Sequence, residues 1–222
     1  MAAETKYGLS DEIYNERITQ LSVNLGKEAA KHSLKAFVEV STAHVYESSK
    51  KPSDETSKLK PWTSQAKMKL KAEEALSEIK GLPLIILRPA IVYGEGDIYG
   101  ITPRIIIAAV YKELQEEMKL LWTKDLKINT VHVSDVARAI WFVSASVEQK
   151  GGRKSPIEKT EVYNLCDRND SDQGSMNEIL ESVFGIKTGF HGTVVSSFAK
   201  LNMNSVTEDI NDKHMEVFSL SI

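Results

Sequence analysis

Leu84-Ile85-Ile86-Leu87-Arg88-Pro89-Ala90-Ile91-Val92-Tyr93-Gly94-Glu95-Gly96-Asp97 is the stretch on which the fold turns. Its first four residues are apolar without a break, which suits a strand buried on both faces in a parallel sheet. Gly81-Leu82-Pro83 stands just before it and stops a helix. That helix is predicted over Gln65 to Ile79, where Met68, Ala72, Ala75, Leu76 and Ile79 recur at helical spacing.

Further upstream, Ser48 to Pro61 is polar and lysine-rich with prolines at both ends, the composition of a surface loop. Ala36 to Val40 is predicted as a buried strand. Before it, Ile13, Ile18, Leu21, Leu25 and Ala29 place a helix over Asp11 to His32, with Ser10 as N-cap and Asp11 and Glu12 at the positive end of its dipole. Downstream, helices are expected over Pro103 to Met118, Asp135 to Val147 and Ser175 to Phe184, the last closed by Gly185. Strands are expected at Ile128 to Val133 and Val162 to Leu165, and Glu148 to Lys159 reads as a charged loop. Alternation of strand and helix makes the fold class α/β with a parallel sheet.

At 222 residues the chain is long enough for one sizeable domain, alone or with a small lobe. A hydrophobic fraction of 41% and a charged fraction of 27% are those of a soluble globular protein. The net charge of -3 gives no basic footprint for nucleic acid. Cys166 is the only cysteine, so an intramolecular disulfide framework and a Cys-clustered zinc site are excluded. Ile101 to Val110, the most apolar stretch, is broken by Pro103 and Arg104 and is too short to span a bilayer. Met1 to Lys6 has neither the basic start nor the apolar core of a signal peptide, and the expected location is the cytoplasm.

Four segments in the same order resemble an extended short-chain dehydrogenase/reductase of the NAD-dependent epimerase/dehydratase family. Phe37-Val38-Glu39-Val40-Ser41-Thr42-Ala43-His44-Val45-Tyr46 is similar to the family strand that ends in a Ser/Thr pair and a Val-Tyr. Lys69-Leu70-Lys71-Ala72-Glu73 resembles its catalytic-lysine helix, and Leu84 to Asp97 the strand and loop that follow. Val131-His132-Val133-Ser134-Asp135-Val136-Ala137 resembles a later segment leading into a helix. The resemblance implies an incomplete Rossmann-like sheet with flanking helices and a small C-terminal substrate-type lobe. It divides the chain into a partial NAD(P)-binding domain over 1–165 and a C-terminal helical extension over 166–222.

By the same resemblance Thr42 takes the place of the substrate-orienting hydroxyl and Lys69 that of the catalytic lysine. Gln65 stands where the family's acid/base tyrosine would stand, and a glutamine amide cannot become a phenolate. Ala2 and Ala3, Lys69 and Pro89 fall at cofactor-binding positions for NAD or NADP. Thr19 falls near a family asparagine, and Met68 replaces a usual small residue. The glycine-rich turn that lets a backbone reach a pyrophosphate is missing from the opening of the sequence. Gly94-Glu95-Gly96-Asp97-Ile98-Tyr99-Gly100 is the only glycine cluster in its stead, and its carboxylates would repel a phosphate.

Each candidate also has a plainer reading. Lys67 and Lys71 on either side of Lys69 suggest a solvated helix lysine, and Thr42 suits a strand end whose backbone it satisfies. Tyr46-Glu47-Ser48-Ser49-Lys50 has the Tyr-to-Lys spacing, but Ser48, Ser49 and Pro52 disfavour a helix there. Tyr93 is another hydroxyl, without a lysine at the needed spacing. His44, His132 and His191 are scattered, so no metal site is expected. Asp135 suits a helix N-cap, and Arg88 either a structural ion pair or a contact to an anionic substrate.

The function that follows is a degenerate or truncated epimerase/dehydratase-like protein without catalytic activity. One rival is an active NAD(P)-dependent oxidoreductase or epimerase on a small molecule such as a sugar nucleotide or a sterol-like compound. The other is an interaction module whose open sheet edge is covered by a protein partner or by self-association.

Overall fold

A computed structural model describes residues 3–6, 8–32, 34–49, 51–148, 157 and 159–199. The predicted first helix forms in three pieces: α1 (Asp11–Tyr14), a π-helical turn (Asn15–Gln20) and α2 (Leu21–Ala29). The Ser10 hydroxyl accepts from the Ile13 N–H and caps its start, as expected. Strand β1 (Phe37–Val40) runs into a single 3-10 turn (Ala43–Val45), and α3 (Ser64–Ser77) is capped by Thr63, whose hydroxyl accepts from Ala66 N–H. The apolar run becomes β2 (Leu84–Pro89), buried along its whole length.

Parallel pairing joins β1 to β2, and β2 to β6 (Glu161–Leu165). The three strands lie in the order β1, β2, β6, with β2 central, which explains why its residues are apolar on both faces. Between them in the chain, β3 (Ile91–Tyr93) pairs in parallel with β5 (Thr130–His132), and α5 (Val133–Glu148) follows β5 directly. The observed class is therefore the expected one, α/β with parallel sheets and flanking helices.

The chain forms two compact units, one made of Met1–Gly100 and Asn129–Arg168, the other of Ile101–Ile128 and Asn169–Ile222. Residues 101–128, placed with the first domain in the sequence reading, thus belong to the second unit. Leu76, Leu84 and Ile86 form one core of the first unit, with Phe37, Ile79, Leu82 and Val162 against it. Ala90, Val131 and Val136 form another. Gly26 of α2 lies so close to Leu76 that a Cβ there would overlap its side chain, so the missing side chain is what lets α2 and α3 approach. In the second unit α4 (Thr102–Leu114), β4 (Met118–Leu120), α6 (Gln173–Phe184) and β7 (Thr188–Phe190) surround Ala108, Met118 and Leu180.

Two boundaries correct the sequence reading. The helix expected to reach Met118 ends at Leu114, because Gln115 turns left-handed (φ 56°), and Met118 begins a strand with its side chain fully buried. Asp135 is not an N-cap: α5 starts two residues earlier, and Asp135 pairs with Arg138 inside the first turn.

Candidate functional site

A cleft of about 900 Å³ opens within the first unit. Thr42, Gln65, Lys69, Pro89 and Ala3 all line it, so five of the residues singled out in the sequence meet in one place. Ala2 lies outside the described residues. β1 runs along one wall, Ile18, Ser22 and Leu25 stand beside it, and Tyr93 to Gly100 contribute the opposite side.

Lys69 is not the solvated lysine that its neighbours suggested. Lys67 and Lys71 are exposed, whereas the Lys69 side chain retains 16% exposure. Its Nζ donates to Val40 O at 2.7 Å and to Glu39 Oε1 at 3.4 Å. The same carboxylate oxygen accepts from Ser22 Oγ at 3.2 Å. Glu39 is only 8% exposed, and its position in β1 puts a carboxylate beneath α2 and α3 where a strand core would ordinarily be apolar. A charge buried this deeply needs a partner, and Lys69 is that partner.

Gln65 uses its amide structurally. Its Nε2 donates at 3.0 Å to Lys6 O, a carbonyl that also accepts from the Tyr14 hydroxyl at 2.7 Å. Thr42 is the N-cap of the 3-10 turn, its Oγ1 accepting from His44 N–H at 3.2 Å. Beside it Ser41 Oγ is buried and has no hydrogen-bond partner among the described residues, although Ser41 also lines the cleft. Nothing in the sequence marked Glu39 or Ser41. Their significance comes from elements that are far apart in the chain.

The other candidates have settled partners. Arg88, buried to 4% exposure, donates from Nε and Nη2 to Glu73 and from Nη1 to the Tyr46 hydroxyl at 2.9 Å. Tyr46 in turn donates to Asn164 Oδ1 at 2.7 Å. Arg88 thus takes the ion-pair role, and Tyr46 is locked outside any helix. Lys50 lies outside the described residues. Thr19, inside the π-helical turn, donates to Met68 O at 2.9 Å, and Met68 packs on Tyr14 and Ile18.

Tyr93 is another phenol along the cleft. Burial, with the Asp167 carboxylate facing it, holds its phenol above the ordinary value, the wrong direction for a proton-transfer group. His44 is shifted the other way: burial lowers its pKa, so the ring is neutral at pH 7, and it sits 5.3 Å from the Trp62 ring. His132 stacks edge-on against Tyr93 at 5.2 Å. Among the described residues, no group of three His, Cys, Asp or Glu gathers as a metal site would require.

The NAD dependent epimerase/dehydratase family model matches residues 2–166 of this sequence. The chain belongs to that family. Comparison with curated protein sequences gives no match. Among solved structures, the UDP-glucuronic acid 4-epimerase from Bacillus cereus in complex with NAD superposes with TM-score 0.67 at 18% identity. The match covers 87% of this chain and 64% of that one. The UDP-N-acetylglucosamine 4-epimerase from Methanobrevibacter ruminantium M1, in complex with UDP-N-acetylmuramic acid, gives TM-score 0.66 at 19% identity over 86% and 62% of the two chains. For the Helicobacter pylori ADP-L-glycero-D-manno-heptose-6-epimerase the values are 0.63, 20%, 85% and 57%. This chain spans less than two thirds of the length of these epimerases, and the likeness establishes the shared fold.

The cofactor implied by the family can be weighed against the residues present. A ribose would need Lys69 Nζ, which is already bonded to Val40 and Glu39. A pyrophosphate would need backbone N–H groups, but in the glycine-rich turn Asp97 Oδ1 takes those of Tyr99 and Gly100, at 3.0 and 2.6 Å. That turn already holds an anion of its own. The described residues therefore do not fit a dinucleotide.

Proposed function

We propose that this family member holds a small ligand in its cleft without performing the proton and hydride transfers of an epimerase/dehydratase. The observation that carries the reading is the disposition of Gln65 and Lys69. The first cannot exchange a proton and ties down Lys6, and the second is committed to Glu39 and Val40. The titration of Tyr93, another phenol along the cleft, is moved away from use.

The test is calorimetric titration of the purified chain with NAD and NADP, followed by absorbance at the reduced-nicotinamide band with UDP-glucose added. Neither saturable binding below millimolar concentration nor turnover is expected. Tight binding together with turnover would establish the opposing reading of an active NAD(P)-dependent enzyme on a sugar nucleotide.

A further inference from the structure

We propose that Glu39 sets the charge selectivity of the cleft: by giving Lys69 an internal counter-ion, it closes the site to phosphate-bearing ligands and leaves it to uncharged, hydroxyl-bearing ones. The inference rests on the reading of the chain as a non-catalytic ligand-binding member and names the class of ligand.

Three observations support it. First, Lys69 is the one lysine or arginine among the described residues lining the cleft, and its ammonium is bonded to Glu39 Oε1 and Val40 O. Any anion that binds there must compete with a carboxylate already in place, at no cost in translational freedom to that carboxylate. Second, the acidic residues Glu95 and Asp97 also line the cleft, whose walls confine their field and further repel an anion. Third, two oxygens on buried residues remain for a ligand. Among the described residues Ser41 Oγ has no partner and Glu39 bonds only through Oε1, which leaves Oε2. Glu39 and Ser41 are two residues apart along extended chain and so share one side of it. A hydroxyl can donate to the carboxylate and accept from the serine, whereas the ionised pyrophosphate diester of a dinucleotide has no proton to offer Glu39.

The obvious alternative is that Glu39 merely satisfies a buried lysine. The two separate in a binding experiment. NAD, inorganic pyrophosphate and adenosine are titrated calorimetrically into the wild type, Glu39→Gln and the double variant Glu39→Gln/Lys69→Met. Gln at 39 keeps the shape and the Ser22 hydrogen bond while removing the charge. Acetylation of Lys69 by acetic anhydride, quantified by mass spectrometry, reports release of the ammonium.

Glu39→Gln is expected to tighten NAD and pyrophosphate at least tenfold, to weaken adenosine, whose hydroxyl loses its carboxylate acceptor, and to raise Lys69 acetylation. The double variant should lose the gain. No tightening, or equal tightening for adenosine, overturns the proposal, as does faster acetylation without anion binding. If Glu39→Gln fails to fold, Glu39→Ala carries the same expectations. NAD turnover by the wild type would sink the non-catalytic reading instead, whatever the variants do, so the two failures are distinguishable.

Discussion

At position 65 this chain carries a glutamine where the family resemblance places a tyrosine. Tyrosine there could cycle through a phenolate, but the glutamine amide instead secures the Lys6 carbonyl. Gln65→Tyr should therefore lower stability by about 1 kcal/mol through the lost hydrogen bond. It should not create turnover, because Lys69 would still be held by Glu39. Urea denaturation and a nicotinamide absorbance assay with UDP-glucose check the two halves; measurable turnover would show that the lysine is available after all. Residue-level reading of the sequence found Thr42, Gln65 and Lys69 because they lie in short ordered motifs. It missed Glu39 because the carboxylate that matters to Lys69 lies thirty residues earlier on another element, and it took Lys69 for a surface residue because Lys67 and Lys71 are.

At the scale of elements, β2 and α3 are tied by the Glu73–Arg88 pair, both side chains being 5% exposed or less. Arg88 keeps a pKa above its ordinary value: burial opposes this, and the hydrogen bonds it donates to Glu73 and Tyr46 outweigh it. Glu73→Ala would leave a buried guanidinium with Tyr46 alone, and a loss of about 3–5 kcal/mol is expected in chemical denaturation. Glu73→Ala with Arg88→Leu should recover much of it; an equal loss in the double variant would assign the cost to the cavity rather than to the stranded charge. The elements that the sequence disclosed are those with helical periodicity or an apolar run, namely α2 to α6 and the strands β1, β2, β5 and β6. The short strands β3, β4 and β7, three residues each, were not legible, because such pieces are too short to show alternation. Met118 illustrates the difficulty: its spacing continues the α4 pattern, and only the left-handed turn at Gln115 sends it into a strand.

Across the whole molecule, the ionisable groups combine into one acid response. His44 is held neutral by burial, with a folded pKa below that of an ordinary imidazole, about 6.5. As the pH falls past that value the unfolded chain takes up a proton that the folded chain refuses, so stability declines. A second group of carboxylates has folded pKa values lowered by specific donors. Lys31 acts on Glu28, Lys58 on Glu47, the Thr56 hydroxyl on Asp54, the Ser175 N–H on Asp172 and the Thr188 hydroxyl on Glu181. Their contribution is present above the unfolded carboxylate pKa of about 4 and is lost as pH falls through the lower folded values. All five are exposed or half-exposed to solvent, so salt should weaken this second phase more than the first. The expected profile of the urea midpoint is thus flat near pH 8, a shallow decline beginning near pH 6.5, and a steeper one below about pH 4.5. His44→Phe should remove the shallow phase alone, since a phenyl ring keeps the contact with Trp62 and takes up no proton. An unchanged shallow phase in that variant would assign it to a group other than His44.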